Sequence, residues 1–361
     1  MKAKARDEFK NMLLKQYKLY PKMQLIDYIK LIYQNEFAGG HMIEDEMASL
    51  RRLKEEYALV EKYFYGPNTP DLFEDIGNGL CRINLWGMQK TSINLTTVNK
   101  FFVETANSIK GDIESFEYKL EMLRECIIDE SLPYLEKDLD RYIEKYKGKD
   151  YPPISHSKIY REEYLPAYRI VKKEYCQYFK VFEGIDSLMR KKEIVNVAID
   201  GNAGAGKSTL ARLLGKIYDC NIFHMDDYFL RPEQRTRERL SEIGGNVDYT
   251  RFNQEIVEGI QNRYKFEYRP YNCQTMALEE PILVKPKKLN IIEGVYSMHP
   301  TLIDNYDLKI FLKVDTREQS ERILKRNGPK MQRRFLEEWI PLENEYFEKF
   351  DIEARSDLVF I

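Results

Sequence analysis

Gly201-Asn202-Ala203-Gly204-Ala205-Gly206-Lys207-Ser208-Thr209 decides the reading of this chain. The stretch fits G-x-x-x-x-G-K-[ST], the phosphate-binding P-loop. Before it, Ile194-Val195-Asn196-Val197-Ala198-Ile199 is short, apolar and β-branched, as a buried strand is. After it, Ser208-Thr209-Leu210-Ala211-Arg212-Leu213-Leu214 places apolar residues at helical spacing. The bare pattern also arises as a chance glycine-rich turn; the strand and helix on either side argue against that here. Glycines let the backbone turn its N–H groups inward toward a phosphate. The helix N-terminus adds about half a positive charge on the same side. All nine residues are therefore expected at a nucleotide. Lys207 should reach its β- and γ-phosphates, and the Ser208 hydroxyl should hold Mg²⁺.

Working outward, the composition changes near Lys191. From there strands and helices alternate, which predicts a parallel sheet covered by helices on both faces. Asn221-Ile222-Phe223-His224-Met225 reads as a second strand running into Asp226-Asp227-Tyr228-Phe229. Leu289-Asn290-Ile291-Ile292 is a third, followed at once by Glu293-Gly294. Leu308 to Val314 is a fourth, bounded by Asp315, and Leu358 to Ile361 closes the set. Acids at the carboxyl ends of parallel strands lie where ligands bind in open α/β sheets. Thr316 to Arg326 reads as a basic helix. Met331 to Lys349 reads as a long one, with Pro341 an interruption or kink.

Residues 1–188 read as a separate, mostly helical domain of unknown role, and 189–361 as the P-loop domain. In the first part, helices are expected over Leu25–Tyr33, Asp45–Tyr63, Leu95–Ile109, Ile113–Cys126, Tyr134–Tyr146 and about Lys158–Arg190. Asn68-Thr69-Pro70 resembles a cap with proline entering a new helix. His41, after the Gly39-Gly40 turn, and His156, in Ser155-His156-Ser157, are the two histidines there with a chance of a chemical role. A turn histidine and a helix cap are the plainer readings.

The chain has 361 residues, 43% hydrophobic and 32% charged, a soluble globular composition. A net charge of -2 gives no support for nucleic-acid binding. Five scattered cysteines without a C-x-x-C pair argue against zinc and against a disulfide framework. The first eight residues lack the apolar core of a signal peptide, and no run approaches a membrane span. The expectation is a cytoplasmic protein without a membrane partner; homo-oligomerisation is left open.

Five blocks, in order, make residues from about 190 to 361 resemble the uridine kinase and phosphoribulokinase-like family of P-loop small-molecule kinases. They are the P-loop, His224-Met225-Asp226-Asp227-Tyr228-Phe229, Gly245-Asn246-Val247-Asp248-Tyr249, Ile291-Ile292-Glu293-Gly294-Val295-Tyr296, and the basic helix after Asp315. The resemblance implies that Asp226 accepts the proton of a substrate hydroxyl, with Asp227 beside it at the substrate. It implies that Glu293 touches Mg²⁺ through water or orients the substrate, and that the arginines of the basic helix close on the phosphates. Arg322, Lys325 and Arg326 share a face of that helix, and a solvated face paired with Glu318 and Glu321 is the alternative. Tyr249, Arg251 and Tyr271 are further candidates for substrate contacts.

The expected activity is ATP- or GTP-dependent phosphoryl transfer, with Mg²⁺, to a hydroxyl of a small metabolite, a nucleoside such as uridine first. A vitamin precursor or sugar phosphate is the alternative acceptor. A nucleotide-responsive interaction protein, with the helical half binding a partner, is the alternative outside catalysis.

Overall fold

The structure, a computed structural model, describes residues 2–40, 42–62 and 70–361. His41, Asn68 and Thr69 lie outside the described residues. The chain divides into two compact units, Met1–Phe179 and Lys180–Ile361.

The first unit opens with helices α1 (Lys2–Leu19), α2 (Leu25–Phe37) and α3 (Glu46–Lys62). Strands β1 (Phe73–Gly77) and β2 (Leu80–Asn84) follow, then α4 (Leu85–Met88), α5 (Leu95–Ser108), α6 (Ile113–Ile128), α7 (Glu136–Lys147) and α8 (Lys158–Tyr164). Strand β3 (Tyr168–Lys172) and α9 (Lys173–Gln177) complete it. The three strands form an antiparallel sheet in the order β1-β2-β3. Ile76, Leu80 and Ile170 of the sheet pack in one core with Leu31 and Ile32 of α2 and Phe116, Leu120 and Leu123 of α6.

Two sequence expectations change here. Pro70 leads into β1 and not into a helix. The helix expected over Lys158–Arg190 is broken: α8 stops at Tyr164, Leu165 takes φ 42 and Pro166 follows. A proline disfavours helical backbone in the residue before it. The chain then runs extended through β3, where Tyr168–Lys172 pairs with Asn84–Leu80.

The second unit begins with all but the first residue of α10 (Phe179–Lys191), then β4 (Val195–Gly201), α11 (Lys207–Ile217) and β5 (Cys220–His224). Short helices α12 (Arg237–Ser241), α13 (Tyr249–Phe252) and α14 (Glu258–Asn262) precede two small antiparallel strand pairs. One pairs β6 (Phe266–Tyr268) with β9 (Ile282–Val284), the other β7 (Tyr271–Asn272) with β8 (Ala277–Leu278). Strands β10 (Leu289–Glu293) and β11 (Leu308–Leu312), helices α15 (Thr316–Arg334) and α16 (Ile340–Lys349), and strand β12 (Leu358–Phe360) close it.

The main sheet has five parallel strands in the order β12-β11-β4-β10-β5. The P-loop strand β4 is central, and six of its seven residues are buried. All five carboxyl ends face one edge, because the strands are parallel. Asp315 caps α15, its carboxylate accepting from the amides of Arg317 and Glu318. Within α15 the backbone breaks at Gly328 (φ 77, ψ 172), ahead of Pro329, so two helical segments run on either side of a kink. From there the helix continues through a π-helical stretch, Phe335–Trp339, into α16. Pro341 sits in the first turn of α16, directly after the widened stretch, where its ring and missing N–H are tolerated. Among the described residues no helix is long and apolar enough to cross a membrane.

Candidate active site

β4 ends in Asp200-Gly201, and the backbone must turn there at close quarters. Gly201 stands opposite Leu312 of β11, and a Cβ on it would lie 2.0 Å from the Leu312 carbonyl oxygen. Its φ of 136° adds a second reason for glycine. Gly204 and Gly206 also have positive φ, 75° and 101°, and a Cβ at Gly206 would meet nothing. The loop is held in place from outside. Asn202 N–H donates to Leu312 O, Gln319 Nε2 donates to Ala203 O and Arg322 Nη1 to Gly204 O, each at 3.0 Å. Ala203 N–H donates to Glu343 Oε2 at 3.1 Å. The amides of Gly204, Gly206, Lys207, Ser208 and Thr209 make no protein hydrogen bond among the described residues. They form the donor-rich end of α11, which favours an anion.

Lys207 is buried, and its ammonium donates to Gly201 O at 2.7 Å and Asn202 O at 3.0 Å. Beneath it, Asp200 is fully buried. It accepts from the amides of Gly201 (2.7 Å) and Met298 (3.0 Å) and from the Tyr346 hydroxyl (2.8 Å). Burial raises its carboxyl above the ordinary range, against the pull of those hydrogen bonds and of Lys207.

The acids come from two neighbouring strands. β10 lies between β4 and β5, with Glu293 in register with Ile199 on one side and His224 on the other. That register sets Glu293 Oε1 2.6 Å from His224 Nδ1. Burial works to raise the Glu293 carboxyl, but hydrogen bonds from His224 and from the Ser208 hydroxyl bring it below its usual value. The same pair raises His224. Ser208 and Glu293 therefore share one spot at the head of α11.

Asp226 follows two residues after β5, in a 3₁₀ turn, Met225–Tyr228. Its surface is open to water, yet it is recessed among protein atoms. Desolvation raises its carboxyl; Lys207, His224 and Arg326 pull it down, and Glu293 pushes it up. The charges acting on it thus come from the P-loop, β5, β10 and α15. Arg322 is tied to Gly204 O and to Glu318 at 2.6 Å, so it belongs to the loop's support as well as to a surface ion pair.

The remaining sequence candidates separate. Arg251 of α13 donates to Asp227 O (2.7 Å) and Arg269 O (2.6 Å), and its guanidinium lies 4.1 Å from the Tyr228 ring centre. It fixes the backbone directly after Asp226. Asp227 is half-buried, and desolvation raises its carboxyl. Tyr271 is buried, its hydroxyl taking a hydrogen bond from Arg235 at 3.2 Å. Tyr249 is buried, stacks on His299 and donates to Gly244 O at 2.9 Å. It lines a cavity of about 500 Å³ with Gln234, Arg239 and His299, whose walls include neither Asp226 nor the P-loop.

Sequence reasoning passed over Asp200, Glu343, Gln319 and the partnership of His224 with Glu293. Asp200 carried a signal, an acid inside an apolar strand. The others depend on register and helix docking, which no local pattern encodes.

The free amides, Lys207 and the Ser208–Glu293 pair fit a nucleoside triphosphate carrying Mg²⁺. Among the described residues no group of three or more His, Cys, Asp or Glu is placed to hold a metal. Mg²⁺ needs no such cage, since one or two protein ligands, waters and substrate phosphates suffice.

Sheet order, glycine loop and following helix make the second unit a P-loop NTPase-type α/β fold. No family model and no curated protein matches the chain. Similar solved structures include one described as a possible uridine kinase from Bacillus stearothermophilus. It is 19% identical, with 50% of this chain and 100% of that one covered and a TM-score of 0.37. A protein of Silicibacter sp. TM1040, provisionally assigned as a fructose transport system kinase, is 21% identical over 50% and 98%, with a TM-score of 0.41. Shikimate kinase from Acinetobacter baumannii is 17% identical over 48% and 87%, with a TM-score of 0.26.

Proposed function

We propose that the second unit is an ATP- or GTP-dependent kinase that transfers a phosphoryl group to a hydroxyl of a small metabolite, with a nucleoside as the acceptor. The observation that carries this reading is the position of Asp226: a carboxylate in the turn directly after β5, at the carboxyl edge of the sheet where the P-loop also leaves its strand, with Lys207 and Arg326 among the charges acting on it. A nucleotide switch has no need of a base there.

The loop amides and Lys207 would hold the phosphates, and the Ser208 hydroxyl and Glu293 would hold Mg²⁺. The cation, when bound, neutralises charge on the phosphate oxygens. Asp226 accepts the proton of the acceptor hydroxyl as its oxygen bonds to the γ-phosphorus and the bond to the β–γ bridging oxygen breaks, leaving the nucleoside diphosphate; raised basicity suits a carboxylate to that task. Arg326 supplies positive charge next to the transferred group. Arg251 keeps the turn bearing Asp226 and Asp227 in place through the Asp227 carbonyl. The test is incubation of the full chain with Mg-ATP or Mg-GTP and a panel of nucleosides, sugar phosphates and vitamin precursors, read by mass spectrometry. A nucleoside product heavier by one phosphoryl group is expected. Nucleotide binding without any phosphorylated acceptor would favour the interaction-protein reading.

A further inference from the structure

The first unit contains a half-open cavity of about 510 Å³ between α2, α3, α5 and β3. Its walls combine an apolar surface with unbalanced positive charge. Ile43, Phe102, Ile154 and Ile170 supply apolar area, while Lys30, Arg52 and Arg169 bring three cations against one carboxylate, Asp45. Two of these charges are already satisfied: Arg169 pairs with Glu56 at 2.7 Å, and Asp45 lies 4.0 Å from Arg51. Lys30 and Arg52 have no carboxylate within ion-pair range among the described residues. The Lys30 ammonium donates to a single group, the Ile154 carbonyl, at 2.6 Å. Burial brings its pKa down to about 8, with Arg82 adding to the fall and the buried Asp27 carboxylate, beyond ion-pair range, working against it. A half-buried cation with one neutral partner is costly unless an anion completes it.

The polar part of the wall is a network of hydrogen-bonded side chains. Asp27, fully buried, faces His156 Nδ1 at 3.0 Å, and His156 Nε2 faces the Tyr168 hydroxyl at 2.6 Å. Burial holds His156 down to about 4, so near neutral pH the ring is uncharged, donating from Nδ1 to Asp27 and accepting from Tyr168. Gln34 Nε2 donates to the Tyr168 oxygen at 3.0 Å, and Arg82 fixes the other end of that amide at 2.7 Å. This chain of buried groups ends on Gln34 and Tyr168, which both line the cavity. Apart from Arg82 Nε, which has no hydrogen-bond partner, the polar groups of this network are paired with one another, and such pairing fixes the positions of its members.

We propose that this cavity is a second ligand site, taking a small organic anion with an apolar body, its charged end on Lys30 and Arg52 and its body against Ile43, Phe102 and Ile154. The proposal is independent of phosphoryl transfer by the second unit.

8-Anilinonaphthalene-1-sulfonate is a probe of that chemistry, a sulfonate on an apolar body that fluoresces when taken out of water. Titrated into the full chain with and without excess Mg-ATP, it should bind saturably at one site with the same affinity. Lys30→Met keeps the apolar stem and removes the charge; the loss of one charged hydrogen bond weakens binding about tenfold or more. Ala48→Trp, on the α3 wall, leaves Lys30 in place and fills the space, and should weaken binding as much. Circular dichroism of each variant confirms that it is folded. Absence of saturable binding to the unaltered chain, displacement by Mg-ATP, or undiminished affinity in either folded variant overturns the proposal.

Discussion

Asp226 and Lys207 carry different parts of the proposed chemistry, and substitution separates them. A general base is worth about 10²–10⁴-fold in rate, or roughly 3–5 kcal/mol of barrier. Asp226→Asn keeps the shape and removes the charge. kcat should fall by that order while ATP affinity changes much less, and Asp227→Asn should do less harm. Excess Mg²⁺ restoring the rate would mark Asp226 as a metal ligand instead. A lower Tm with unchanged turnover per folded molecule would mark it as structural. Lys207→Ala should weaken Mg-nucleotide binding in a calorimetric titration and abolish transfer. Its carbonyl partners, Gly201 O and Asn202 O, are backbone groups that water can satisfy, so the fold should persist. Much of this was legible in the sequence, because a P-loop is local: strand, loop and helix lie within one short run. The pairing of His224 with Glu293 was not, since it exists only once β5 and β10 adopt their register.

At the scale of elements, α16 does more than cover the sheet. Its Glu343 accepts from the P-loop amide of Ala203, and burial lifts its carboxyl to about 7, with Lys207 and the Ala203 hydrogen bond working against the rise. In an unfolded chain that proton is half released at about pH 4.5. Between those values the native state binds more protons, so this contribution to stability is complete at the acid end and is lost as pH rises through 7. Glu343→Gln keeps an acceptor for Ala203 and removes the titration. The Tm of the unaltered chain relative to the variant should therefore fall from pH 5.5 to pH 8; thermal melts across that range check it. An unchanged difference would place Glu343 outside this linkage. Elements of the first unit show where local patterns fail. Tyr168–Lys172 continues the charged, aromatic character of the helix before it, and only its pairing with β2 makes it a strand. The β1–β2 hairpin did leave a trace, Gly77-Asn78-Gly79, whose three residues all take positive φ.

For the whole molecule, the question is whether the second unit stands alone, and α10 decides where a fragment should begin. Val181, Phe182 and Ile185 are fully buried. Within the second unit, the Tyr218 hydroxyl of this unit donates to Asp186 at 2.9 Å, and a Cβ on Gly184 would lie 3.4 Å from Leu308 of β11. We propose that residues 180–361 fold alone and bind Mg-nucleotide. A fragment from Met189 drops those three apolar side chains, each worth roughly 1.5–3 kcal/mol when buried. It should show a lower Tm than the longer piece. Circular dichroism melts of both fragments check this, and an unfolded 180–361 fragment would mean that the first unit completes the core. Composition could show the change of class near Lys191 but not the docking of the helix just before it. A helix facing solvent and one facing a sheet differ in which stripe is covered, and that is a property of the partner.

The central strand of the main sheet has a history during synthesis. β4 leaves the ribosome first among the five strands, six of its seven residues destined for burial, yet its neighbours β10 and β11 pair with it only from Leu289 and Leu308 onward. The last clamp on the P-loop, Glu343, arrives later still. At ordinary elongation rates the roughly 150 residues from Val195 to Glu343 take on the order of 10 s to appear. Throughout that interval the nascent chain carries an apolar, β-branched segment with both edges open. A ribosome stalled anywhere before β10 would hold a sticky, unpaired strand, and a nucleotide cradle clamped on every side is a property of finished chains alone.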